Sequence, residues 1–600
     1  MNPPAVQDSA ELRRIVAIPR RTWTPDQTAE LVRALTEALR VPRLSAEPVR
    51  VKCLACGALP GELHRPLTLR PLQAIALAEI AQWGGVFAPL PVGQGKTTIS
   101  ALAPRMRPER VRPLVLVPAH LRAKTDADFH ALRSHWVLPP FLRVESYQTL
   151  SRVGAAEFLG KEYRPDMIIA DEGDYLKNPQ AAVTRRVSRY LEHHYNAGTR
   201  VVYVDLTGTP GDTSIKEYTH RANWALPHTN PTPETHGALD EWSRALDVDV
   251  HAIKRMTEGA LSALKSSPLE DVRAAYQRRL HDSPGVVMTR APQIPISITV
   301  TSHVIPLDTA QADAFELLRS RWKTPDEIDA PDGIAVWRHA RELASGFYSV
   351  WDPRPPTEWA EARSSWARAC RETISSNRRQ IDSAEQLTIA MLQHRDWYPE
   401  ALATYEAWKE IEPSFVPNPV PYWISDQATD WIAAWAAEGP GLIWTDRPAL
   451  GQRLAQRFGL PFYWNEGVDP LTGRTIESHD PRTGSAVLAR KANDSGRNLQ
   501  AWSRNLIVDI PKSGRGWEQL VGRTHRPGQT APRIVVDLLF GCIEDVSAFW
   551  SARARAQWSQ DMTGQPQKLV HADLSAVLDV DTAEDMPGAR WVKTKPPESP

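Results

Sequence analysis

The sequence has few cysteines: four in 600 residues are too few for a disulfide framework, which predicts a protein of a reducing compartment. It has no net charge, because 71 lysines and arginines balance 71 aspartates and glutamates. This balance excludes a surface that is positive throughout, but it is compatible with local basic strips. The sequence also lacks an apolar run of the roughly 20 residues that span a bilayer, and an apolar signal core near Met1. We therefore expect a soluble, cytoplasmic protein with no membrane partner.

The chain is too long for one ordinary domain, and its pattern changes along its length. Short β-branched runs such as VRPLVLVPA, PDMIIADE and TRVVYVDLTGTP alternate with helical patterns, which indicates parallel α/β sheets with functional residues at the carboxyl ends of strands. The predicted units are an N-terminal extension with a C-x-x-C pair at 1–64, a first sheet unit at 65–305 with a helical insertion at about 211–285, a helical, tryptophan-rich segment at 306–425, a second sheet unit at 426–555, and a polar, poorly ordered tail at 556–600.

A glycine-containing fragment, LPVGQGKTTIS, begins at Leu90 between a predicted strand and a predicted helix. Gly93 and Gly95 let the backbone approach an anion, and the N–H groups of the loop would then face phosphates. Lys96 adds a mobile positive charge, and Thr97 offers a hydroxyl to Mg²⁺. Because Leu90 stands where the longer P-loop pattern has its first glycine, the fragment alone also fits a plain turn with a surface lysine.

An acidic pair, Asp171 and Glu172, directly follows the predicted strand in DMIIADEGD. A carboxylate at this position can hold Mg²⁺, and its neighbour can orient an attacking water. Acidic residues after strands are also common helix caps. Further along, the threonines of LTGTP at 206–210 are placed to couple the acidic pair to the rest of this unit by hydrogen bonds.

Two arginines in QLVGRTHRPGQ, Arg523 and Arg526, are three residues apart and so share one face of a predicted helix. Phosphoryl transfer spreads negative charge over the γ-phosphoryl oxygens, and a guanidinium delivered from another lobe stabilises that charge. The alternative is a basic helix that is simply solvated.

The ordered set LRPLQ, GQGKTT, LVLVPAHL, ESYQTL, IIADEGDYLKN, LTGTP, LIWTD, GRNL and QLVGRTHRPGQ resembles the superfamily-two helicases, and within them the Swi/Snf-type DNA-dependent ATPases. The resemblance covers roughly residues 67 to 545, with unmatched insertions. It implies an α/β fold with two RecA-like parallel-sheet lobes in tandem, which clamp ATP and Mg²⁺ between them and translocate on DNA, duplex or branched, as the cleft opens and closes. The compact size suggests a monomeric bacterial or phage member that acts in the cytoplasm of a bacterial or phage-infected host cell.

Carried over position by position, the resemblance implies four groups of site residues. They are nucleotide-binding Gln73, Gly93, Gln94, Gly95, Lys96, Thr97, Thr98 and Gln519; catalytic Lys96, Asp171, Glu172, Arg523 and Arg526; Mg²⁺-binding Thr97 and Asp171; and nucleic-acid-binding His120, Ser146, Arg497 and Asn498. Asp174 stands where the family commonly has histidine, which predicts altered coupling between the lobes with hydrolysis retained.

Basic strips fit a DNA partner. RMRPERVRPLVLVPAHLRAK lies beside the expected nucleic-acid track, and the second unit adds Arg490, Lys491, Arg497 and Arg504. Phosphate contacts of this kind give sequence-independent, salt-sensitive binding. Two other functions fit the same motifs: a helicase that separates strands of DNA or RNA, and a non-catalytic DNA-binding scaffold gated by nucleotide.

Cys53, Cys56 and His64 raise the question of zinc, because C-x-x-C supplies two thiolates at knuckle spacing. A fourth ligand is not evident and a second pair is missing, so a reduced structural pair is the favoured interpretation and zinc the alternative. Cys370 and Cys542 are interpreted as core residues. The tryptophans between residues 322 and 366 are expected to pack between helices, with base stacking as the alternative.

Overall fold

The structure is a computed structural model that describes residues 4–152, 154–248, 254–291, 294–376, 381, 383–493, 496–579 and 586. It is a mixed α/β fold built on two parallel sheets, one of five strands and one of seven. The α/β class and the pair of parallel sheets predicted from the sequence are therefore confirmed.

The first sheet consists of apolar strands covered by helices on both faces. Its strands are β1 (Gly85–Pro89), β2 (Pro113–Val117), β3 (Arg143–Ser146), β4 (Met167–Asp171) and β5 (Val202–Thr207). They lie in the order β1-β5-β4-β2-β3, and every neighbouring pair is parallel. Apart from the first residue of β3, all strand residues are buried, as continuous apolar runs in a doubly covered sheet require.

Helices surround this sheet and include the predicted insertion at 211–285. The predicted N-terminal helix begins after Thr24, whose side chain accepts a hydrogen bond from the Gln27 amide at 3.2 Å in a capping box. The helices are α1 (Ala10–Ala17), α2 (Pro25–Leu39), α3 (Pro71–Trp83), α4 (Lys96–Leu102), α5 (Arg122–Leu132), α6 (Tyr147–Ser151), α7 (Ala155–Glu157), α8 (Ala182–Asn196), α9 (Thr219–Ala225), α10 (His236–Leu246) and α11 (Val272–His281).

The middle segment is helical and packs around tryptophans, as predicted. Strand β6 (Ser297–Val304) precedes it. Its own elements are α12 (Thr309–Arg321), α13 (Gly333–Ala344), β7 (Phe347–Trp351), α14 (Thr357–Ser375), α15 (Ala384–Gln393), α16 (Pro399–Ile411) and β8 (Pro419–Trp423), with β7 and β8 antiparallel. Trp359, Trp366 and Trp408 are buried in one cluster with Cys370, and Cys542 is also fully buried. Trp359 and Trp366 belong to the range 322–366 for which base stacking was the alternative. Both are core residues, so base stacking has no support at these two positions.

The second sheet takes its strands from 297–304 and from residues after 441. The elements that follow β8 are α17 (Gln427–Ala437), β9 (Leu442–Thr445), α18 (Pro448–Phe458), β10 (Phe462–Tyr463), β11 (Ala486–Ala489), α19 (Arg490–Asn493), β12 (Arg504–Ile507), α20 (Gly514–Val521), β13 (Arg533–Phe540), α21 (Ile543–Thr563) and β14 (Asp573–Ala576). The strand order is β10-β11-β9-β12-β13-β6-β14, and all pairs are parallel.

Two predicted boundaries differ from this arrangement. The strand at 297–304 was grouped with the first unit, at 65–305, but it pairs along its whole length with β13 in the second sheet. The segment at 556–600 was expected to be a poorly ordered tail, but α21 continues to Thr563 and β14 adds an edge strand. Polar side chains between them are buried, Gln567 and Lys568 among them, and Lys568 Nζ donates to Glu518 Oε2 of α20 at 2.7 Å. Residues 580–585 and 587–600 of the expected tail lie outside the described residues.

Helix α21 begins in the second core and ends in the first. Phe549 belongs to the core of the second sheet, whereas Trp558 and Met562 belong to the core of the first. The Trp558 indole Nε1 donates to the Leu246 carbonyl at 3.0 Å. The two sheets therefore share a helix that is buried at both ends. Within the described residues, no helix combines the length and apolar character needed to cross a membrane.

Candidate functional site

The loop between β1 and α4 has the backbone that the glycine fragment predicted. Gly93 and Gly95 adopt φ of 92° and 77°, the left-handed region that glycine enters without strain. A Cβ on Gly95 would overlap the Gln73 side-chain amide. Lys96 begins α4 and is buried; its Nζ donates to the Leu90 carbonyl at 3.2 Å. The Lys96 side chain therefore bonds back to the start of the loop and closes it.

The acidic pair ends β4 directly opposite this lysine. Glu172 Oε1 lies 3.5 Å from Lys96 Nζ. Burial and the charge of Glu172 raise the pKa of Asp171 to about 7. Burial acts in the same direction on Glu172, but Lys96, Arg515 and Arg523 outweigh it and lower the pKa of Glu172. Glu172 is therefore the more readily ionised member of the pair, and Asp171 is a buried carboxylate whose raised pKa the charge of Lys96 only partly offsets.

One LTGTP threonine contacts Asp174, two residues after the acidic pair, and its predicted coupling to Asp171 and Glu172 stays a prediction. Thr207 Oγ1 donates to Asp174 Oδ1 at 3.1 Å. The other oxygen of Asp174 forms an ion pair with Arg515, a residue of α20 in the second half of the chain. Asp174 thus links the first sheet to the second, through the position where the resembled family has histidine.

Arg515 was missed by sequence reasoning, although its spacing carried a signal. Arg515, Gln519 and Arg523 recur every four residues and so lie on one face of a helix. The Gln519 amide, oriented with its oxygen toward Arg515, accepts from Arg515 Nη2 at 3.1 Å. The Arg515 backbone amide also donates to Asp212 Oδ1 of the first half at 3.3 Å.

The two predicted arginines are held by main-chain carbonyls. Arg523 Nε donates to the Gln519 carbonyl at 2.8 Å, and its Nη1 donates to the Arg497 carbonyl at 3.3 Å. Arg526 Nη1 donates to the same Arg497 carbonyl at 3.0 Å. Burial and the nearby Arg70 lower the pKa of Arg526. Arg523 and Arg526 thus share one acceptor and line one cavity, where two guanidinium groups would stabilise an anion.

These groups line one cavity of about 280 Å³ between the two halves. This volume is near the lower end of the range for small-molecule sites. A larger cavity of about 500 Å³ lies between α11 and α21, but it has no phosphate-binding loop and its lining mixes acidic and basic side chains. The predicted site residues in the smaller cavity are Gly93, Gly95, Lys96, Thr97, Asp171, Glu172, Asn498, Gln519, Arg523 and Arg526.

The remaining predicted nucleotide contacts lie behind or within the loop. Gln73 is buried and both ends of its amide are occupied: its oxygen accepts from the Arg70 amide at 2.8 Å, and its nitrogen donates to the Gly95 carbonyl at 3.1 Å. Gln73 thus fastens the loop in this arrangement, and its contact with adenine stays a prediction. Gln94 and Thr98 are held by main-chain bonds, from the Gln94 amide to Pro91 at 3.3 Å and from the Thr98 amide to Gly95 at 3.0 Å.

One predicted nucleic-acid contact lines the cavity, and a second lies near charged groups that line it. Asn498 is exposed and lines it. His120 follows β2 in a short turn, where partial desolvation and the charges of Arg497 and Arg523 lower its pKa against the opposing effect of Glu172. His120 is therefore close to groups from both halves.

The other two, Ser146 and Arg497, bond to neighbouring protein groups, and their contact with nucleic acid stays a prediction. The Ser146 hydroxyl is buried and caps α6, accepting from the Thr149 amide at 3.0 Å. Arg497 pairs with Glu477, with Nη1 and Oε1 2.9 Å apart. The expected basic strips are also largely neutralised by acidic neighbours. The ion pairs are Arg490–Asp446, Arg504–Glu438, Arg122–Glu145, Lys124–Asp128 and Arg107–Glu109.

Compared with known proteins, the chain matches no family model and no curated protein. The resemblance stated above therefore stays a prediction that depends on the order of the motifs.

Proposed function

We propose that the protein is an ATP-hydrolysing motor that tracks on duplex DNA, with two RecA-like lobes of the Swi/Snf type. One observation carries the proposal: a lysine and an acidic pair from the first sheet line the same cavity as two arginines from the second. A glycine turn with a surface lysine would not bury that lysine opposite Glu172. A solvated basic helix would not bury Arg523.

The triphosphate of ATP would lie along the loop at 90–95 and α4. Lys96 would exchange its ion pair with Glu172 for the β- and γ-phosphates, because the triphosphate carries more negative charge than a single carboxylate. Arg523 and Arg526 would bind the γ-phosphate from the other side. Their main-chain acceptors already fix the guanidinium planes, so little rotamer entropy remains to be lost on binding.

Magnesium fits the residues present. Asp171 is buried beside a like charge, with a pKa raised to about 7, and a divalent cation would compensate it. Asp171 and Thr97 would hold the ion, which neutralises phosphate charge when it is bound with the nucleotide.

Glu172 would be the general base. Its lowered pKa keeps it ionised at neutral pH, so it can orient a water and accept its proton. The water oxygen bonds to the γ-phosphorus while the bond from that phosphorus to the bridging oxygen breaks, and ADP leaves with the electron pair. Arg523 and Arg526 would stabilise the charge that builds on the γ-phosphoryl oxygens, an effect of about 10³ to 10⁵ in rate for an arginine of this kind.

Hydrolysis would be coupled to movement through Asp174 and Arg515. The ion pair joins the segment after Glu172 to α20, which carries Gln519 and ends at Val521, two residues before Arg523. Once the γ-phosphate leaves, Arg523 and Arg526 would no longer contact the first half through it. The contact between the halves would then weaken beside this ion pair, so the cleft could open and close with each cycle. Most basic side chains beside the cleft are paired with acidic ones, so their charge gives little support to DNA as the track. The support for duplex DNA is the order of the motifs.

The test is ATP hydrolysis by the purified full chain with and without duplex DNA. Wild type is compared with Lys96→Ala and Glu172→Gln, and with Lys161→Ala as a matched control, because Lys161 is an exposed lysine of the same half. We expect DNA-stimulated turnover in wild type and in the control, and a loss of about 10³-fold in both site variants. A wild type no faster than these variants in the presence of DNA would remove the enzyme claim.

Two further measurements separate the alternatives. Displacement of a third strand from a triplex reports translocation on duplex, whereas displacement from a tailed DNA or RNA duplex reports strand separation. We expect the first without the second. Binding of ATP without turnover would instead favour the nucleotide-gated scaffold.

A further inference from the structure

Four potential metal ligands meet at the edge of the first half. The side chains of Cys53, Cys56, His64 and His135 each offer one ligand atom, and these atoms all lie within 4.8 Å of one another. Cys53 and His135 are buried, and the other two are half-buried. His135 is the fourth ligand that sequence reasoning did not find, because it lies 82 residues after Cys53.

The distances within the cluster match a tetrahedral metal. Zinc–sulfur and zinc–nitrogen bonds of about 2.3 and 2.0 Å place neighbouring ligand atoms about 3.5 Å apart. Cys53 Sγ lies 3.5 Å from His135 Nε2, and Cys56 Sγ lies 3.7 Å from His64 Nδ1. The two thiols are not joined in a disulfide. The pairs are thus spaced for a common ion.

The backbone around the cluster holds the thiols in place. The turn CLACG is closed by the Cys53 amide, which donates to the Ala58 carbonyl at 2.8 Å, and by the Gly57 amide, which donates to the Cys53 carbonyl at 2.9 Å. Gly57 adopts φ of 73°, which suits glycine. The Arg65 amide points at Cys56 Sγ from 3.5 Å, the kind of outer-shell hydrogen bond that steadies a thiolate ligand.

The histidine is fixed by different elements. His135 follows the end of α5 and is fully buried. Its carbonyl accepts from the Val41 amide at 3.0 Å, and the next residue but one, Val137, donates from its amide to the Leu39 carbonyl at 2.8 Å. The backbone at His135 is therefore held by the segment at the end of α2, and its position does not depend on the CLACG turn.

We propose that Cys53, Cys56, His64 and His135 form a structural zinc site that fastens the segment at 49–65 to helix α5. Four protein ligands leave no open position for a substrate, which is the arrangement of structural rather than catalytic zinc. Sulfur and imidazole ligands at tetrahedral spacing favour zinc over the harder divalent cations. The interpretation of Cys53 and Cys56 as a plain reduced pair was based on a missing fourth ligand, and that ligand is present.

Such a site would reach the cleft through α5. The same helix contributes Lys124, Thr125 and Asp128 to the cavity between the halves. Zinc would hold the far end of this helix against the N-terminal segment. The proposal does not depend on ATP hydrolysis, because metal content is measured without nucleotide.

The experiment is metal analysis of the reduced full chain, purified without chelators and with any histidine tag removed. We expect about one zinc per chain in wild type, and a loss of most of it in Cys53→Ser, Cys56→Ser, His64→Ala and His135→Ala. His130→Ala is the matched control, since His130 is an exposed histidine of α5 itself, and it should keep its zinc.

A second measurement covers variants that fail to fold. After zinc is removed from wild type under reducing conditions, added Co²⁺ should give the intense visible bands of tetrahedral cobalt bound to thiolate, and one equivalent of Zn²⁺ should abolish them. Wild type without zinc and without this spectrum overturns the proposal. So does zinc that persists equally in the four ligand variants and in His130→Ala, because the metal would then be bound elsewhere.

Discussion

The ion pair between Asp174 and Arg515 joins the two halves, and its removal tests whether they work as one site. The Asp174 side chain is 1% exposed and that of Arg515 is 22% exposed. Charge centres about 4 Å apart attract by about 4 kcal/mol at an effective dielectric of about 20. Desolvation of the two groups offsets about half of this, which leaves a coupling of about 2 kcal/mol, equivalent to about 30-fold in an equilibrium constant.

The perturbation is a cycle of Arg515→Ala, Asp174→Asn and the double variant. The pair forms only when the halves approach, so each single change should lower the kcat/KM of DNA-stimulated ATP hydrolysis by about 30-fold. The double variant should be no worse than either single one, because the interaction can be lost only once. Arg482→Ala is the control, since Arg482 is an exposed arginine paired with a near neighbour in the sequence. It should leave kcat/KM unchanged.

The pH dependence gives the cycle a second readout. Burial already raises the pKa of Asp174, and Arg515 is the strongest influence that opposes the rise. Without Arg515 the pKa should rise further, so ionising Asp174 would cost more folding free energy as the pH increases. The Tm of Arg515→Ala should therefore fall below that of wild type by more at pH 8 than at pH 5. Losses in kcat/KM that multiply in the double variant, with a Tm difference independent of pH, would refute the coupling.

Three other changes follow from the same contacts. Gly95 has a left-handed backbone, and a methyl group there would overlap the Gln73 amide, so Gly95→Ala should weaken nucleotide binding at least about 10-fold in titration calorimetry. Gly473 is also left-handed but has open space around it, so Gly473→Ala should leave nucleotide binding unchanged. The pKa of Asp171, raised from 3.8 to about 7, means that ionisation costs stability, so the Tm of the metal-free protein should fall as pH rises through this window. Magnesium with nucleotide should reverse that fall, and Asp171→Asn should remove the slope. Trp558→Ala should lower the free energy of unfolding by about 3–5 kcal/mol in denaturant titration, while Trp397→Ala, at a 40% exposed position, should change it by less than about 1 kcal/mol.

Features within a single strand–loop–helix unit could be predicted from the sequence. Gly93, Gly95 and Lys96 follow one strand, and the acidic pair follows another, so the periodicity that identified the strands also placed these residues at the carboxyl edge of a parallel sheet. Buried strands are continuous apolar runs, and glycine in a left-handed turn has few substitutes. These signals are local, and they need no knowledge of which element packs against which.

Features that depend on partners far away in the chain could not be predicted in this way. The strand at 297–304 has a half-buried pattern that suits the edge region of either sheet, and its place is decided by its register with β13, about 236 residues later. His135 lies in a turn just after α5, and only the CLACG turn brings other potential metal ligands close to it. In both cases the residues are compatible with several neighbours, and packing selects one.

Asp174 shows how such a distant contact can explain a departure from a motif. Taken alone, aspartate at the usual histidine position removes a group that the resembled family uses. In this fold its carboxylate accepts from Thr207 and pairs with Arg515, so the position still joins the two halves, but with the charge reversed. A histidine at 174 would direct a cationic or neutral ring at the same guanidinium and would leave Arg515 without an acid at that place. The residue at 174 and the arginine at 515 therefore act as one unit. The departure rearranges a contact between the halves, and altered coupling between the lobes with hydrolysis retained stays the prediction for it.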